Sequence, residues 1–169
     1  MEYDSDKRPL FIECRNNELF LIPLEELNTI ADSTLNKIAA KEHINTKDIY
    51  RIAAETSDAK SDHYVVDLTY RLIGQTVIDP IPDVAGYPLA AKYGPGGDGE
   101  PEDGWYMKII SEFNKDDQML SFIVRDDSFR VFKIARALAW MERIDVSYEL
   151  LPNGEQIKFG IFGEQPRPL

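Results

Sequence analysis

The sequence predicts an α+β protein: a mixed β-sheet of five to seven strands with two or three helices packed on one face. Three observations carry this expectation. Short runs that alternate or are wholly apolar recur along the chain, bounded by Asn, Asp, Gly and Pro. Two longer stretches follow the helical period instead, with apolar residues three and four apart. The C-terminal part reads strand, helix, strand, strand, and a helix between two strands usually makes a right-handed crossover that leaves them parallel.

Leu10, Phe11 and Ile12, then Leu19, Phe20, Leu21 and Ile22, read as two strands around a tight Asn16-Asn17 turn. Pro23 closes that hairpin and suits the first position of a helix. The helix is marked by Leu24, Leu27, Ile30, Ala31, Leu35 and Ile38. Thr46 resembles an N-cap before a second helix with Ile49, Ile52 and Ala53 on its apolar face. Tyr64, Val66, Leu68 and Tyr70 alternate with Val65, Asp67 and Thr69, which predicts a strand ended by Gly74. Thr76 to Ile78 adds a short strand.

From Asp79 to Gly104 the chain holds five of its ten prolines and six of its ten glycines. That content predicts a flexible acidic loop over 79–104. Trp105 to Phe113 then has strand composition, and Asn114 to Asp117 is a turn signal. Met119 to Val124 is apolar throughout, as a central strand would be. Arg125-Asp126-Asp127-Ser128 supplies N-cap chemistry for a helix through Val131, Phe132, Ala135, Leu138 and Ala139. Val146 to Leu151 is a strand, Asn153-Gly154 a hairpin signal, and Gln156 to Phe162 the strand expected to pair back. The expected domain covers residues 9–162, with 1–8 and 163–169 as disordered tails.

At 169 residues the chain is long enough for a self-sufficient core. No apolar run approaches the roughly 20 residues needed to span a bilayer. The charge of −11, from 30 acids and 19 bases, would repel bare nucleic acid and anionic lipid and attract basic partners. Cys14 is the single cysteine, so no internal disulfide forms.

Catalytic chemistry has few places to sit. His43 and His63 are far apart and match no metal motif, so no metal or other cofactor is expected. The glycine-rich run lacks the Lys-Ser/Thr and the following helix of a phosphate loop. Its acids Asp98, Glu100, Glu102 and Asp103, with Trp105 beside them, read as a solvated interaction loop. Cys14 lies mid-strand without a histidine or helix N-terminus in sequence, so it reads as a structural thiol. The candidate ligand or interaction site is Arg125, Asp126, Asp127 and Ser128, where a central strand hands over to a helix. Capping with a local ion pair is the alternative reading of those four. Arg130, Lys133 and Arg136 form a basic stripe expected to be solvated.

Four blocks share an order and spacing with a known group. They are Pro9 to Asn17, Ser121 to Phe129, Ala135 to Ala139 and Ile157 to Gly160. Together they resemble a little-characterised bacterial family whose genes lie beside MotA/TolQ/ExbB-type proton-channel genes. The blocks bracket residues 9–160, and Val124-Arg125-Asp126-Asp127-Ser128-Phe129 is the most specific of them. The strand-helix-strand unit is also similar in pattern to the soluble domain of ExbD/TolR-type accessory proteins. The resemblance implies a domain that docks or dimerises beside a proton-driven membrane motor complex. It implies membrane association if the domain belongs to an anchored protein, and a cytoplasmic location if it stands alone. This chain departs from that family in showing no membrane helix or coiled coil.

The expected function is therefore a non-catalytic protein-interaction or dimerisation domain, without nucleic acid and without direct membrane insertion. Its partner would be a protein, either a second copy through the edge at residues 145–162 or a membrane motor complex. An acidic inhibitor, immunity protein or nucleic-acid mimic is the alternative that the charge suggests. An enzyme built on Asp126, Asp127 and Arg125 would require a deep pocket at that turn.

Overall fold

A computed structural model describes residues 6–41, 44–89 and 104–160. In chain order the elements are β1 (Arg8–Arg15), β2 (Glu18–Ile22), α1 (Leu24–Ala39), α2 (Thr46–Glu55), β3 (Tyr64–Val66), α3 (Leu68–Arg71), β4 (Thr76–Pro80), α4 (Gly104–Ser111), β5 (Gln118–Val124), α5 (Phe129–Met141), β6 (Val146–Leu150) and β7 (Ile157–Phe159). The class is α+β, as expected. The strands form two sheets, one of four and one of three. The chain divides into two compact units, with described residues 6–22, 85–89 and 104–153 in the first and 23–41, 44–84 and 154–160 in the second.

The first unit holds the four-stranded sheet, ordered β2-β1-β5-β6. β1 and β2 make the expected antiparallel hairpin, and Asn16 and Asn17 turn it with φ of 54° and 58°. Asn tolerates this left-handed region better than most residues, and two such residues in succession match the twist of a hairpin. β5 runs parallel to both β1 and β6. Its residues Met119 to Val124 are all buried, which explains the unbroken apolar run. α4 and α5 share one apolar cluster with Ile12, Cys14, Leu120, Phe122 and Val124, and so lie on the same face of this sheet. The edge-to-face contact of Phe122 with Phe132, at 5.3 Å between centroids, lies in this layer. The residues that alternate with these on the strands, Phe11, Glu13, Ser121 and Ile123, are buried as well.

The second unit carries the antiparallel sheet β3-β4-β7 with α1, α2 and α3. Arg71 grips Asp32 through two hydrogen bonds of 2.7 and 2.9 Å. Its Nη1 donates to the Thr76 hydroxyl, which donates in turn to Asn28 Oδ1 at 2.7 Å. This chain of bonds ties α1 and α3 to β4. Asn45, not Thr46, caps α2, by accepting the Asp48 N–H at 2.9 Å.

Three sequence expectations are corrected. The strand expected to Tyr70 stops at Val66, because Asp67 accepts the Thr69 N–H and O–H and starts α3. Trp105 to Phe113 is not a strand. Tyr106 and Ile110, four apart, are its buried residues, and that spacing is helical. Residues 156–160 do not pair back on β6, and 161 and 162 lie outside the described residues. Leu151 N–H donates to the Val124 carbonyl, and the Pro152 carbonyl accepts from Arg125, so the chain leaves along the end of β5. β7 pairs with β4 instead. Within the expected loop, Asp79 and Pro80 belong to β4 and Tyr87 bridges Leu19. Residues 90–103, 1–5 and 161–169 lie outside the described residues.

Candidate functional site

The candidate residues Arg125 to Ser128 sit at the C-terminal ends of the parallel strands β1, β5 and β6, the end where open α/β sheets commonly bind ligands. Arg125 follows β5 directly and is 1 % exposed. Its Nε donates to Glu13 Oε2 at 2.7 Å and its Nη1 to the Pro152 carbonyl at 2.7 Å. Its Nη2 is buried with no partner among the described residues. Glu13 is fully buried, and its other oxygen lies 3.3 Å from Arg15 Nε. The Arg15 guanidinium in turn lies 4.0 Å above the Phe20 ring. One carboxylate thus holds two guanidiniums at the strand ends, one of them by a short charged hydrogen bond.

Asp126 and Asp127 are exposed, but both work on backbone. Asp126 Oδ2 accepts the Asn153 N–H at 3.4 Å. Asp127 Oδ1 accepts the Ser128 hydroxyl at 2.7 Å and the Asn16 N–H at 3.3 Å. Ser128 is buried, and its hydroxyl oxygen accepts the Asn17 N–H at 2.9 Å. Ser128 does not cap α5 with its side chain. Asn17 does so from the other side of the hairpin, accepting the Val131 N–H on Oδ1 at 3.1 Å. The β1–β2 turn therefore occupies the helix N-terminus where an anion would otherwise bind. All four predicted residues come together, and what they assemble is a filled junction of turn, strand and helix.

Trp105 stands at the start of α4, stacked on Tyr87 at 5.0 Å between ring centroids, with its backbone N–H on the Tyr87 hydroxyl. Asp98, Glu100, Glu102 and Asp103 lie outside the described residues. Among the described residues no group of three or more His, Cys, Asp or Glu side chains could hold a metal ion. Cys14 is buried, and burial first, then the Glu13 carboxylate, pushes its thiol well above the usual range. Burial pushes the Tyr106 phenol up as well, and its hydroxyl donates to the Ala135 carbonyl at 2.6 Å. Neither group is poised as a nucleophile or proton donor at neutral pH.

The two edges of this sheet differ. β2 is covered at its first half by Tyr87, which exchanges two backbone hydrogen bonds of 2.8 Å with Leu19. Gly86 permits that approach, because a Cβ there would lie 2.6 Å from the Phe20 ring. β6 has no such cover. Leu120 N–H donates to the Asp145 carbonyl and Leu151 N–H to the Val124 carbonyl, so the odd-numbered residues of this segment face β5. In a parallel ladder the intervening Val146, Tyr148 and Leu150 then turn N–H and C=O outward. No bond to them is found among the described residues.

Above that edge Tyr148 packs on Phe132, with centroids 5.2 Å apart. Arg136 lies between Phe132 and Trp140, 5.0 and 4.6 Å from the two rings. Nothing local to Trp140 or Tyr148 marks them in the sequence, and Arg136, expected in a solvated stripe, instead lies between two rings. The spacing of Phe132, Arg136 and Trp140, four residues each, is the signal that could have joined them.

No family model, curated protein or solved structure matches this chain.

Proposed function

We propose that this protein is a non-catalytic interaction module that takes an extended strand of a partner protein onto the β6 edge of its four-stranded sheet. The observation that carries this reading is the contrast between the two edges. A folded sheet normally covers, breaks or charges its edges against chance pairing. Here Tyr87 pairs with Leu19 and leaves Leu21 as the one outward residue of β2 without a bond among the described residues, while three alternate residues of β6, of which Val146 is buried, have none. Leu150, 43 % exposed, leaves the end of that edge accessible. Strand addition supplies affinity through main-chain bonds and specificity through alternate side chains. The filled junction at Arg125 to Ser128 supports a structural role for those residues in place of a ligand site. The family resemblance sets such a module beside a proton-channel complex, and that setting belongs to the proposal.

Leu150→Pro tests it. The Leu150 N–H faces away from β5, so proline there removes an outward donor and leaves the inner ladder whole. Peptides selected from a random library against the native protein should lose most of their affinity for Leu150→Pro, with the thermal melt of the protein unchanged. Selected peptides that bind both proteins equally, or a library that yields none, would refute the proposal.

A further inference from the structure

We infer that the strand accepted by β6 is acidic on its helix-facing side and comes from a different protein, not from a second copy of this chain. The inference rests on the edge-pairing reading above. At 100° per residue, Phe129, Lys133, Arg136 and Trp140 fall on the same flank of α5 as Phe132. Phe132 contacts Tyr148 on β6, so this flank overhangs the open edge. A strand bonded to Val146, Tyr148 and Leu150 sends every second side chain up against it.

Charge selects the occupant. Arg130, Lys133 and Arg136 are the only charged residues from Phe129 to Met141, in a chain of net charge −11. None of the three forms an ion pair among the described residues. Arg136 is held flat by two rings, and its Nε is buried without an acceptor among the described residues. Its terminal nitrogens are what it offers an incoming carboxylate, from a side chain whose ordering entropy is already spent. Around it Phe129, Trp140 and Leu150 are 42, 47 and 43 % exposed, so apolar surface flanks the cations.

A second copy fits poorly. Antiparallel pairing centred on Tyr148 would set Val146 opposite the copy's Leu150 and satisfy all the outward backbone groups. It would also bring two α5 helices side by side about 14 Å apart, three strand spacings. Lys133 and Arg136 would then face their own copies across that gap. An acidic strand meets the same cations with attraction.

The test uses fluorescence anisotropy with two short labelled peptides, one alternating threonine with glutamate and the other threonine with lysine. Simple attraction to a protein of charge −11 favours the lysine peptide, so a preference for glutamate is a stringent result. The glutamate peptide should bind the native protein and the lysine peptide should not. Lys133→Gln/Arg136→Gln should weaken binding about tenfold at low salt, the worth of one charged hydrogen bond. Leu150→Pro should abolish it. Equal binding of the two peptides overturns the acidic preference and leaves edge pairing standing. A dimer in sedimentation that Leu150→Pro splits makes a second copy the occupant and also overturns the inference. If neither peptide binds, or binding ignores Leu150→Pro, edge pairing falls as well.

Discussion

Replacing Arg125 by methionine probes the junction that sets the parallel strands. The side chain is 1 % exposed and makes two hydrogen bonds of 2.7 Å, to Glu13 and to the Pro152 carbonyl. Methionine fills much of the volume, so the cost comes from what is left behind. The Pro152 carbonyl loses a charged donor, and Glu13 keeps only the longer 3.3 Å contact to Arg15 of its two arginine contacts. Removing one partner of a buried ion pair costs about 3–5 kcal/mol. The remaining Arg15 places this case at the lower end. With a urea slope of about 1–3 kcal/mol per molar, the midpoint should fall by roughly 1–3 M. Glu13→Leu should cost about as much, because it strands Arg125. The double variant removes both charges together and should cost no more than either single, about half the sum of the two or less. The sequence contains two tryptophans, Trp105 and Trp140, both in the unit that holds the junction, so their fluorescence follows its unfolding. Single costs that add to within about 0.5 kcal/mol in the double would show that Glu13 and Arg125 do not act as a pair, and would refute the argument.

Asn16→Ala and Asn17→Ala separate backbone strain from capping: each should lose about 1 kcal/mol for its left-handed φ, and Asn17→Ala about 1 kcal/mol more for the bond to Val131, in paired urea melts. Equal losses would remove the capping role. Glu149 is raised above the usual carboxylate range by desolvation. Its folded state therefore favours the protonated form, and the stability this brings is present below the unfolded value of about 4.3 and lost as pH rises through the folded one. Glu149→Gln should raise the melting temperature at neutral pH and leave it unchanged below about pH 4; the same gain at both would contradict the sign. The Cys14 thiol, buried and raised, should react with a thiol reagent only as fast as the protein opens, so its labelling rate should climb with denaturant. Amide exchange should alternate along the exposed part of β6, fast at Tyr148 and Leu150 and slow at Ser147, Glu149 and Leu151. Uniform protection of the dilute protein would show the edge already occupied.

Local chemistry was legible where it decides its own conformation. Asn16-Asn17 announces a tight hairpin because few other pairs tolerate two left-handed residues. Met119 to Val124 reads as a central strand because both its faces are buried. The α5 period and the structural Cys14 were visible for the same kind of reason. The elements misread were short ones at which two local preferences compete. Trp105 to Ser111 has the composition of a strand, and only the packing of Tyr106 and Ile110 makes it a helix. At Asp67 a side-chain cap outweighs the β-branched run before it.

Period, turn chemistry and apolar content within a few residues are enough to give the α+β class, the first hairpin, the main helix and the place of the junction residues. Long-range packing alone makes Glu13, more than a hundred residues away, the partner of Arg125, makes Asn17 the cap of α5, and pairs Ile157 to Phe159 with β4. Those are choices among partners that look alike in sequence. A carboxylate, an asparagine or an apolar strand has many acceptable neighbours, and the packing of whole layers selects one. The open edge of β6 is the result of such a choice: once β7 pairs with β4, three residues that a hairpin would have satisfied are left facing outward.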